Sequence, residues 1–142
     1  MHAEIVAANE AFYAAFRNQD ALAMDALWAR HAPVACIHPG WGALVGRDRV
    51  IASWLAIMAA GAPQVHCRAP RVQLLGEVAF VVCDELIDGN RLIATNVLVR
   101  EDDEWRFVHH HAGQVAAADD DDDDDSDDDA SDDGPPSPSS LN

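Results

Sequence analysis

The pair Asp88-Gly89 stands between two long apolar runs and constrains the fold more than any other feature of the chain. Asp-Gly in such a place is the pattern of a two-residue hairpin turn. A turn of this length fixes the strand register and sets Val81 directly opposite Asn96. Because side chains alternate along a strand, Glu85 then lies on the same face as Asn96. The sequence therefore predicts an antiparallel hairpin with two polar side chains on one otherwise apolar face.

Helices precede strands along the chain. After residue 63 the pattern is that of β-strands, at Gln64–Leu75, Val78–Leu86, Arg91–Arg100 and Trp105–Ala112. Before residue 63, three segments have helical spacing. The first is Ala3–Arg17, the second runs from an N-cap at Asp20 to about Ala29, and the third runs from an N-cap at Asp48 to a stop at Gly61 and Pro63. A short β-prone run at Pro33–Ile37 lies between the second and the third. This order predicts an α+β fold with three N-terminal helices packed on a curved antiparallel sheet.

The acidic charge is concentrated at one end. Residues 119–142 hold 12 of the 25 acidic side chains and none of the 9 arginines. Such a segment cannot bury enough apolar surface to offset its ordering entropy, so we expect a disordered acidic tail at 119–142 after a domain at 1–118. That domain has a net charge of −4, and all its cations are arginines without a basic cluster. This composition argues against nucleic-acid partners and a polybasic membrane anchor.

The chain shows no 18-residue apolar run and no charged-then-apolar leader. We therefore expect a soluble, unsecreted protein of the cytoplasm. Its cysteines, Cys36, Cys67 and Cys83, fall in strand runs and are expected to be reduced core thiols.

Both faces of the predicted hairpin are mostly apolar. One face must meet the helices, and the other is expected to meet a second copy of the chain, because so small a domain has no further elements to cover it. On the helix-facing side, Glu85 and Asn96 would lie under Tyr13 and Trp54 in a small-ligand pocket. A carboxyl group in an apolar wall gains proton affinity, so Glu85 could move a proton next to a carbonyl. The alternative places Glu85 at the rim, in solvent.

Three successive histidines follow in the last strand. An even-length turn at Asp102-Asp103 sets His109 opposite Asn96 and His111 opposite Ala94, whereas a one-residue bulge before the histidines brings His110 to that face instead. Alternation allows at most two of the three rings to ligate one ion, and the chain contains neither H-E-x-x-H nor C-x-x-C. We therefore expect no metal and no cofactor, and keep a histidine metal site as a minor alternative.

Several local strings, in this order, resemble the nuclear transport factor 2-like superfamily, whose members include SnoaL-like cyclases, ketosteroid isomerase and the association domain of calcium/calmodulin-dependent protein kinase II. The strings are Val34–Pro39, Gly46-Arg47-Asp48, Thr95-Asn96-Val97 and Trp105–Gly113, and the likeness spans residues 3–115. The resemblance implies a cone-shaped fold with a cavity between the helices and the sheet. It also implies a homodimer or higher homo-oligomer through the outer sheet face. It also favours the bulged register, with His110 and Ala112 facing inward.

The chain departs from two members of that superfamily. The kinase association domain lines its cavity with arginines, and the matching positions in this chain are Glu85, Asn96 and Ala112. The anionic ligands of that domain are therefore not expected here. The catalytic set of ketosteroid isomerase has no match, since Tyr13 is the chain's single tyrosine.

The sequence and the resemblance together predict a SnoaL-like protein that binds a small, largely apolar, neutral or cationic molecule. Proton transfer of the isomerase, cyclase or hydratase type would use Glu85 and His110 as catalytic residues. The expected ligand-binding residues are Tyr13, Trp54, Asn96, His109 and His111. The alternative is a non-catalytic dimerisation module resembling the kinase association domain.

Overall fold

The computed structural model describes residues 2–61 and 63–116. The predicted acidic tail at 119–142, and the domain boundary at 118, lie outside the described residues. The helices are α1 His2–Arg17, α2 Ala21–Leu27 and α3 Arg47–Ala59. The strands are β1 Ala35–Ile37, β2 Leu44–Val45, β3 Val65–Leu75, β4 Val78–Ile87, β5 Asn90–Glu101 and β6 Glu104–Gln114. The α+β class and the three N-terminal helices are confirmed.

The six strands form one open sheet in the order β2-β1-β6-β5-β4-β3, with β2 and β3 as its edges. Strands β3 to β6 form the antiparallel meander that the sequence predicts. The sheet as a whole is mixed rather than antiparallel, because β1 runs parallel to β6. Just after α2, Trp28 is in extended conformation and bridges Phe107 of β6 in the same parallel sense. This bridge ends α2 at Leu27, two residues before the predicted end.

The β4–β5 hairpin has the predicted register. Val81 pairs with Asn96, and Glu85 pairs with Leu92. The turn residues Asp88 and Gly89 have φ angles of 48° and 84°, the left-handed conformation that a type I′ hairpin turn requires at both positions. Glu85 and Asn96 are therefore fixed on the face that the helices cover.

The β5–β6 hairpin has both the even-length turn and the one-residue bulge that the sequence offers as alternatives. Its two-residue turn at Asp102-Asp103 gives the even-length register as far as the pair Leu98 and Phe107. The register then shifts by one residue at a bulge, so that Asn96 pairs with His110. An extra residue reverses the alternation of side chains beyond it. His110 consequently lies on the inner face, as the superfamily resemblance implies.

The predicted N-cap of α2 is confirmed, whereas that of α3 is wrong. Asp20 caps α2, because its side chain accepts a hydrogen bond from the Ala23 N–H. In α3 the N-cap is Gly46, with φ of 102°, so Asp48 lies in the first turn and the predicted cap position is wrong by two residues. Glycine reaches this left-handed φ without steric cost, and its carbonyl accepts from the Val50 N–H.

Phe12 of α1 lies at the centre of the core between the helices and the sheet. Its ring stacks on Phe107 with centroids 4.6 Å apart and meets Tyr13 and Trp54 edge to face. This aromatic cluster holds α1 and α3 over the inner sheet face and so forms the walls of the site. Among the described residues, no helix is both long and apolar enough to cross a bilayer.

Candidate functional site

A cavity of about 300 Å³ lies between the helix layer and the inner face of the sheet. Its walls are mainly aromatic and aliphatic, and the ionisable side chains on them are Tyr13, His38, Glu85 and His110. An apolar pocket with a few converging polar groups is the usual form of a small-molecule site. The remaining lining residues are Phe12, Phe16, Pro39, Trp41, Trp54, Ile57, Pro63, Val65 and Ile87.

Glu85 is buried on β4 rather than solvated at the rim, with 4% of its surface exposed. Its Oε2 atom accepts a hydrogen bond of 2.6 Å from the Tyr13 hydroxyl. Burial raises the pKa of Glu85 because the ionised form loses its hydration, and the Tyr13 hydrogen bond opposes this only in part. The pKa of Tyr13 is also raised, by burial and by the nearby Glu85 charge, so the phenol stays protonated and donates.

His110 lies beside Glu85 and is 2% exposed. Its Nδ1 is 2.6 Å from Asn96 Oδ1, while the Asn96 amide group donates to Asn9 Oδ1 at 2.8 Å and to the Tyr13 hydroxyl at 3.2 Å. Since the Asn96 nitrogen is used in those two bonds, its oxygen must accept from His110. The hydrogen-bond network therefore assigns the proton of the neutral ring to Nδ1 and leaves a lone pair on Nε2.

The free nitrogen of His110 faces the carboxyl group. His110 Nε2 and Glu85 Oε2 are 3.7 Å apart, which is too long for a direct hydrogen bond, so the Nε2 lone pair is not taken up by Glu85, and Oε2 keeps the Tyr13 hydroxyl as its partner. Burial lowers the pKa of His110 to about 3, with smaller contributions from neighbouring histidines. Burial thus acts against the charged form of both groups, the carboxylate of Glu85 and the imidazolium of His110. Such a pair can give a proton to one atom of a ligand and take one from another.

His38 is a cavity residue that the sequence did not identify. It is 3% exposed, and its Nε2 lies 2.8 Å from Ser53 Oγ. Its ring packs against Trp41 and Trp54, with centroid distances of 4.7 Å and 4.5 Å. Burial lowers the pKa of His38 to about 4. A signal was present, because His38 stands two residues after the buried Cys36 in an extended run and so shares its face.

Asn9 is a second buried polar residue that sequence reasoning missed. It is 1% exposed on α1 and joins Asn96 to the Cys67 thiol, to which its amide donates at 3.3 Å. The sequence signal was its place four residues after Ile5 on the apolar stripe of α1. Asn9 therefore fixes the orientation of Asn96, and through it the tautomer of His110.

The structure separates the predicted site residues into three groups. Tyr13, Trp54, Glu85 and His110 line the cavity together. Asn96 is buried behind Tyr13 and His110 and positions them without lining the cavity. His109 and His111 lie on the outer face, so their predicted place in the pocket is wrong. The bulge turns them away, and His109 Nδ1 lies 3.0 Å from the Ala35 carbonyl oxygen instead. The three histidines therefore do not converge on one metal position.

A polar cluster of His31, Glu101 and Asp102 lies at the β5–β6 turn, with ligand atoms within 4.8 Å of one another. Its central carboxylate is already engaged: Glu101 accepts from the backbone N–H groups of Arg30, His31 and Ala32 at 2.7 to 3.0 Å. Those bonds tie the loop after α2 to the end of β5. The cluster is therefore a structural clasp of the fold.

Comparisons with known proteins agree with this architecture. The sequence pattern of the SnoaL-like domain matches residues 5–117. A search of curated proteins finds no match. Among solved structures, the chain is similar to a proposed dehydratase of the NTF2-like family from Streptomyces avermitilis, with 32% identity, a TM-score of 0.75, and coverage of 80% of this chain and 95% of that one.

Two further structures have the same fold. A proposed calcium/calmodulin-dependent protein kinase type II association domain from Thiobacillus denitrificans is 38% identical, with a TM-score of 0.69, over 77% of this chain and 93% of that one. An NTF2-like protein of unknown function from Pseudomonas putida is 17% identical, with a TM-score of 0.69, over 78% of this chain and 84% of that one. The resemblance found in the sequence is confirmed, and the chain belongs to the SnoaL-like domain family within the nuclear transport factor 2-like superfamily.

Proposed function

We propose that this protein is an enzyme that moves protons on a small, neutral, largely apolar carbonyl compound, with His110 as base and Glu85 as acid. The observation that carries the proposal is the pair itself. His110 Nε2 and Glu85 Oε2 are 3.7 Å apart, both side chains line one cavity, and burial favours the neutral form of each. Ionisable groups shifted in this way inside a pocket are typical of acid–base sites.

The cavity determines the class of ligand. Its volume of about 300 Å³ suits a small organic molecule, and flat aromatic side chains such as Phe12, Trp41 and Trp54 form much of its wall. Because burial acts against the charged forms of Glu85 and His110, and the rest of the wall is mainly apolar, the cavity favours a neutral ligand over an ion. A neutral, flat and mainly apolar compound therefore fits best.

Elimination of water from a β-hydroxy carbonyl compound is the reaction that this pair fits most directly. His110 Nε2 takes the proton from the carbon next to the carbonyl, and the electron pair of that C–H bond forms the new double bond. The C–O bond at the β carbon breaks as Glu85 protonates the departing hydroxyl, which leaves as water. The imidazolium then returns its proton to the Glu85 carboxylate, and the pair is restored. Isomerisation would use the same two groups, with the proton returned to another carbon.

Tyr13 supports the acid in this scheme. Its hydroxyl donates to Glu85 Oε2 at 2.6 Å, so it stabilises the carboxylate at the moment when Glu85 gives up its proton. Asn96 acts as a positioning residue, since it holds His110 with Nδ1 protonated. The likeness to the proposed dehydratase from Streptomyces avermitilis supports elimination of water as the first reaction class to test.

A second proposal concerns assembly, and it rests on the outer face of the sheet. Phe80, Val82, Val97 and Val99 form an apolar area there that is only partly buried, and the described helices all lie on the opposite face. We propose that this face pairs with a second copy of the chain. The likeness to a proposed kinase association domain supports assembly as a role, either together with catalysis or in place of it.

Solvent-exchange experiments test the enzymatic proposal. The protein is incubated in D₂O with a panel of small aryl β-hydroxy ketones, and NMR follows both deuterium uptake at the α carbon and formation of the enone. The wild-type protein should accelerate both. His110→Asn and Glu85→Gln should lower the rate by at least about 100-fold. The matched control is His111→Asn, which changes the neighbouring residue on the outer face and should keep full activity.

Two outcomes would contradict these roles. Activity that persists in both His110→Asn and Glu85→Gln would exclude the pair as acid and base. A wild-type protein that neither binds nor exchanges any compound of the panel, yet assembles as a stable dimer, would favour a non-catalytic association module.

A further inference from the structure

The hydrogen bonds around His38 fix its tautomer. Ser53 Oγ lies 2.7 Å from the Val50 carbonyl oxygen and 2.8 Å from His38 Nε2. Serine has a single hydroxyl proton, and a carbonyl oxygen can only accept, so that proton points to Val50. His38 Nε2 must then carry its own hydrogen and donate it to Ser53. The neutral ring consequently has its lone pair on Nδ1.

No residue that the structure describes donates a hydrogen bond to this lone pair. The polar contacts of the His38 ring are those of Nε2, to Ser53 Oγ and, at 3.8 Å, to Cys36 Sγ, and Nδ1 has no hydrogen-bond partner among residues 2–61 and 63–116. The side chain is 3% exposed and lines the cavity. An acceptor on a side chain of the cavity wall that has no partner in the described protein is free to receive a hydrogen bond from a molecule in the cavity.

We propose that His38 Nδ1 is a substrate-binding acceptor, which receives a hydrogen bond from a hydroxyl or N–H group of the molecule in the cavity. The rings of Trp41 and Trp54 flank His38 and would pack against the apolar part of the same molecule. The inference rests on the proposed function, since it takes the cavity to hold the substrate. It adds that the substrate carries a hydrogen-bond donor apart from the carbonyl group that reacts at Glu85 and His110.

The two cavity histidines thus differ in their tautomers. His110 has its hydrogen on Nδ1 and its lone pair on Nε2, beside the acid Glu85. His38 has the reverse arrangement, and no carboxyl group of residues 2–61 and 63–116 is in hydrogen-bond contact with it. His110 is placed to exchange protons with Glu85. His38 is placed to recognise a donor. Neither ring is readily protonated, because burial lowers the pKa of His38 to about 4 and that of His110 to about 3.

Binding of two matched probes tests the inference without any turnover. The probes are 2-naphthol, which has a hydroxyl donor, and 2-fluoronaphthalene, which has nearly the same shape and no donor. Titration calorimetry on the full chain should show that the wild-type protein binds 2-naphthol about tenfold more tightly, the effect of roughly one hydrogen bond. His38→Phe keeps an aromatic ring and should bring the ratio of the two dissociation constants close to one. His111→Phe, on the outer face, should leave the ratio unchanged.

His110→Asn separates this inference from the proposed function. If His38 is the acceptor, this variant loses proton exchange but retains the preference for 2-naphthol. The inference is overturned if the wild-type protein shows no preference or binds neither probe. It is also overturned if the preference persists in His38→Phe and disappears in His110→Asn, because the donor then binds at the Glu85 end of the cavity.

A measurement on the wild-type protein covers the case in which His38→Phe does not fold. In ¹⁵N-labelled protein, the resonance of the unprotonated His38 Nδ1 should shift on addition of 2-naphthol and move much less with 2-fluoronaphthalene. Equal shifts with both probes, or a free His38 that is protonated on Nδ1, would overturn the inference.

Discussion

His110 Nδ1 donates a hydrogen bond to Asn96 Oδ1 across the β5–β6 pair at 2.6 Å, and this contact decides which nitrogen of the ring faces Glu85. The contact exists only because a bulge shifts the register between Val97 and Leu98. Without that shift His109 would stand opposite Asn96, and His109 and His111 would face inward in place of His110. Backbone irregularities next to active sites often re-aim a side chain in this way.

Asn96→Asp should turn His110 from a base into a cation. A carboxylate in contact with Nδ1 stabilises the imidazolium, so the pKa of His110 should rise well above its value of about 3. An NMR titration of the ring should show this, and proton exchange should fall by about 100-fold because Nε2 is then protonated. Thr95→Asp places the same charge one residue away on the outer face and should leave both properties unchanged. An unaltered His110 titration in Asn96→Asp would contradict the assigned tautomer.

Two neighbouring histidines should differ sharply in their effect on stability. His110 is buried against the rings of Phe12 and Trp54, at centroid distances of 5.2 Å and 5.4 Å, whereas His111 is exposed. His110→Asn should therefore lower the free energy of unfolding by about 2–4 kcal/mol, and His111→Asn should change it by less than about 0.5 kcal/mol. Urea unfolding of the two variants measures the difference. Similar losses for both would contradict the bulged register.

Much of this arrangement could be predicted from the sequence, because local rules determine it. The Asp88-Gly89 turn fixes the β4–β5 register, which places Glu85 and Asn96 on the inner face. The even-length turn at Asp102-Asp103 was equally readable. The bulge could not be predicted from local pattern, since a one-residue slip changes no local propensity, and only the superfamily resemblance favoured it.

Other features depended on partners that are distant in the chain. The three-residue strand β1 lies against β6, and no pattern within Pro33–Ile37 indicates that contact. The alternation of His38 with Cys36 indicated its face, but the elements that close the cavity around it are distant in the chain. The burial of Asn9 could be predicted, because it is a polar residue on the apolar stripe of α1. Its role could not, because its partner Asn96 lies 87 residues later in the chain.

The buried histidines should make stability depend on pH. Burial lowers the pKa of His38 from its ordinary 6.5 to about 4, so the unfolded chain takes up a proton below pH 6.5 while the folded protein does not until about pH 4. The stabilisation is therefore complete above pH 6.5 and declines as the pH falls toward 4. The difference in unfolding free energy between the wild-type protein and His38→Phe should shrink by about 1.4 kcal/mol from pH 7.5 to 5.5. A difference independent of pH would show that His38 is not buried in its neutral form.

Glu101 should stabilise the loop after α2 with the opposite pH dependence. Burial acts to raise the pKa of Glu101. Hydrogen bonds from the backbone N–H groups of Arg30, His31 and Ala32 outweigh this effect and lower the pKa to about 2. The stabilisation is present above the ordinary value of 4.5 and is lost as the pH falls toward 2. Glu101→Gln should cost about 1–2 kcal/mol at pH 7 and much less at pH 2.5, as measured by urea unfolding. Glu104→Gln, in the same turn but exposed, should cost little at either pH, and equal losses in the two variants would contradict the clasp.

The outer sheet face should hold two copies of the chain together. Val82 lies near the middle of this face, where it pairs with Thr95 of β5 and Arg71 of β3, and its side chain points away from the helices. A lysine there should be tolerated in a monomer but would place an unpaired charge in a dimer interface. Sedimentation equilibrium should therefore find the wild-type protein dimeric and Val82→Lys monomeric. Val45→Lys is the control, because Val45 is 67% exposed on the short edge strand β2 and should leave assembly intact. A monomeric wild-type protein, or a Val82→Lys variant that still pairs, would show that a different surface, or none, joins the copies.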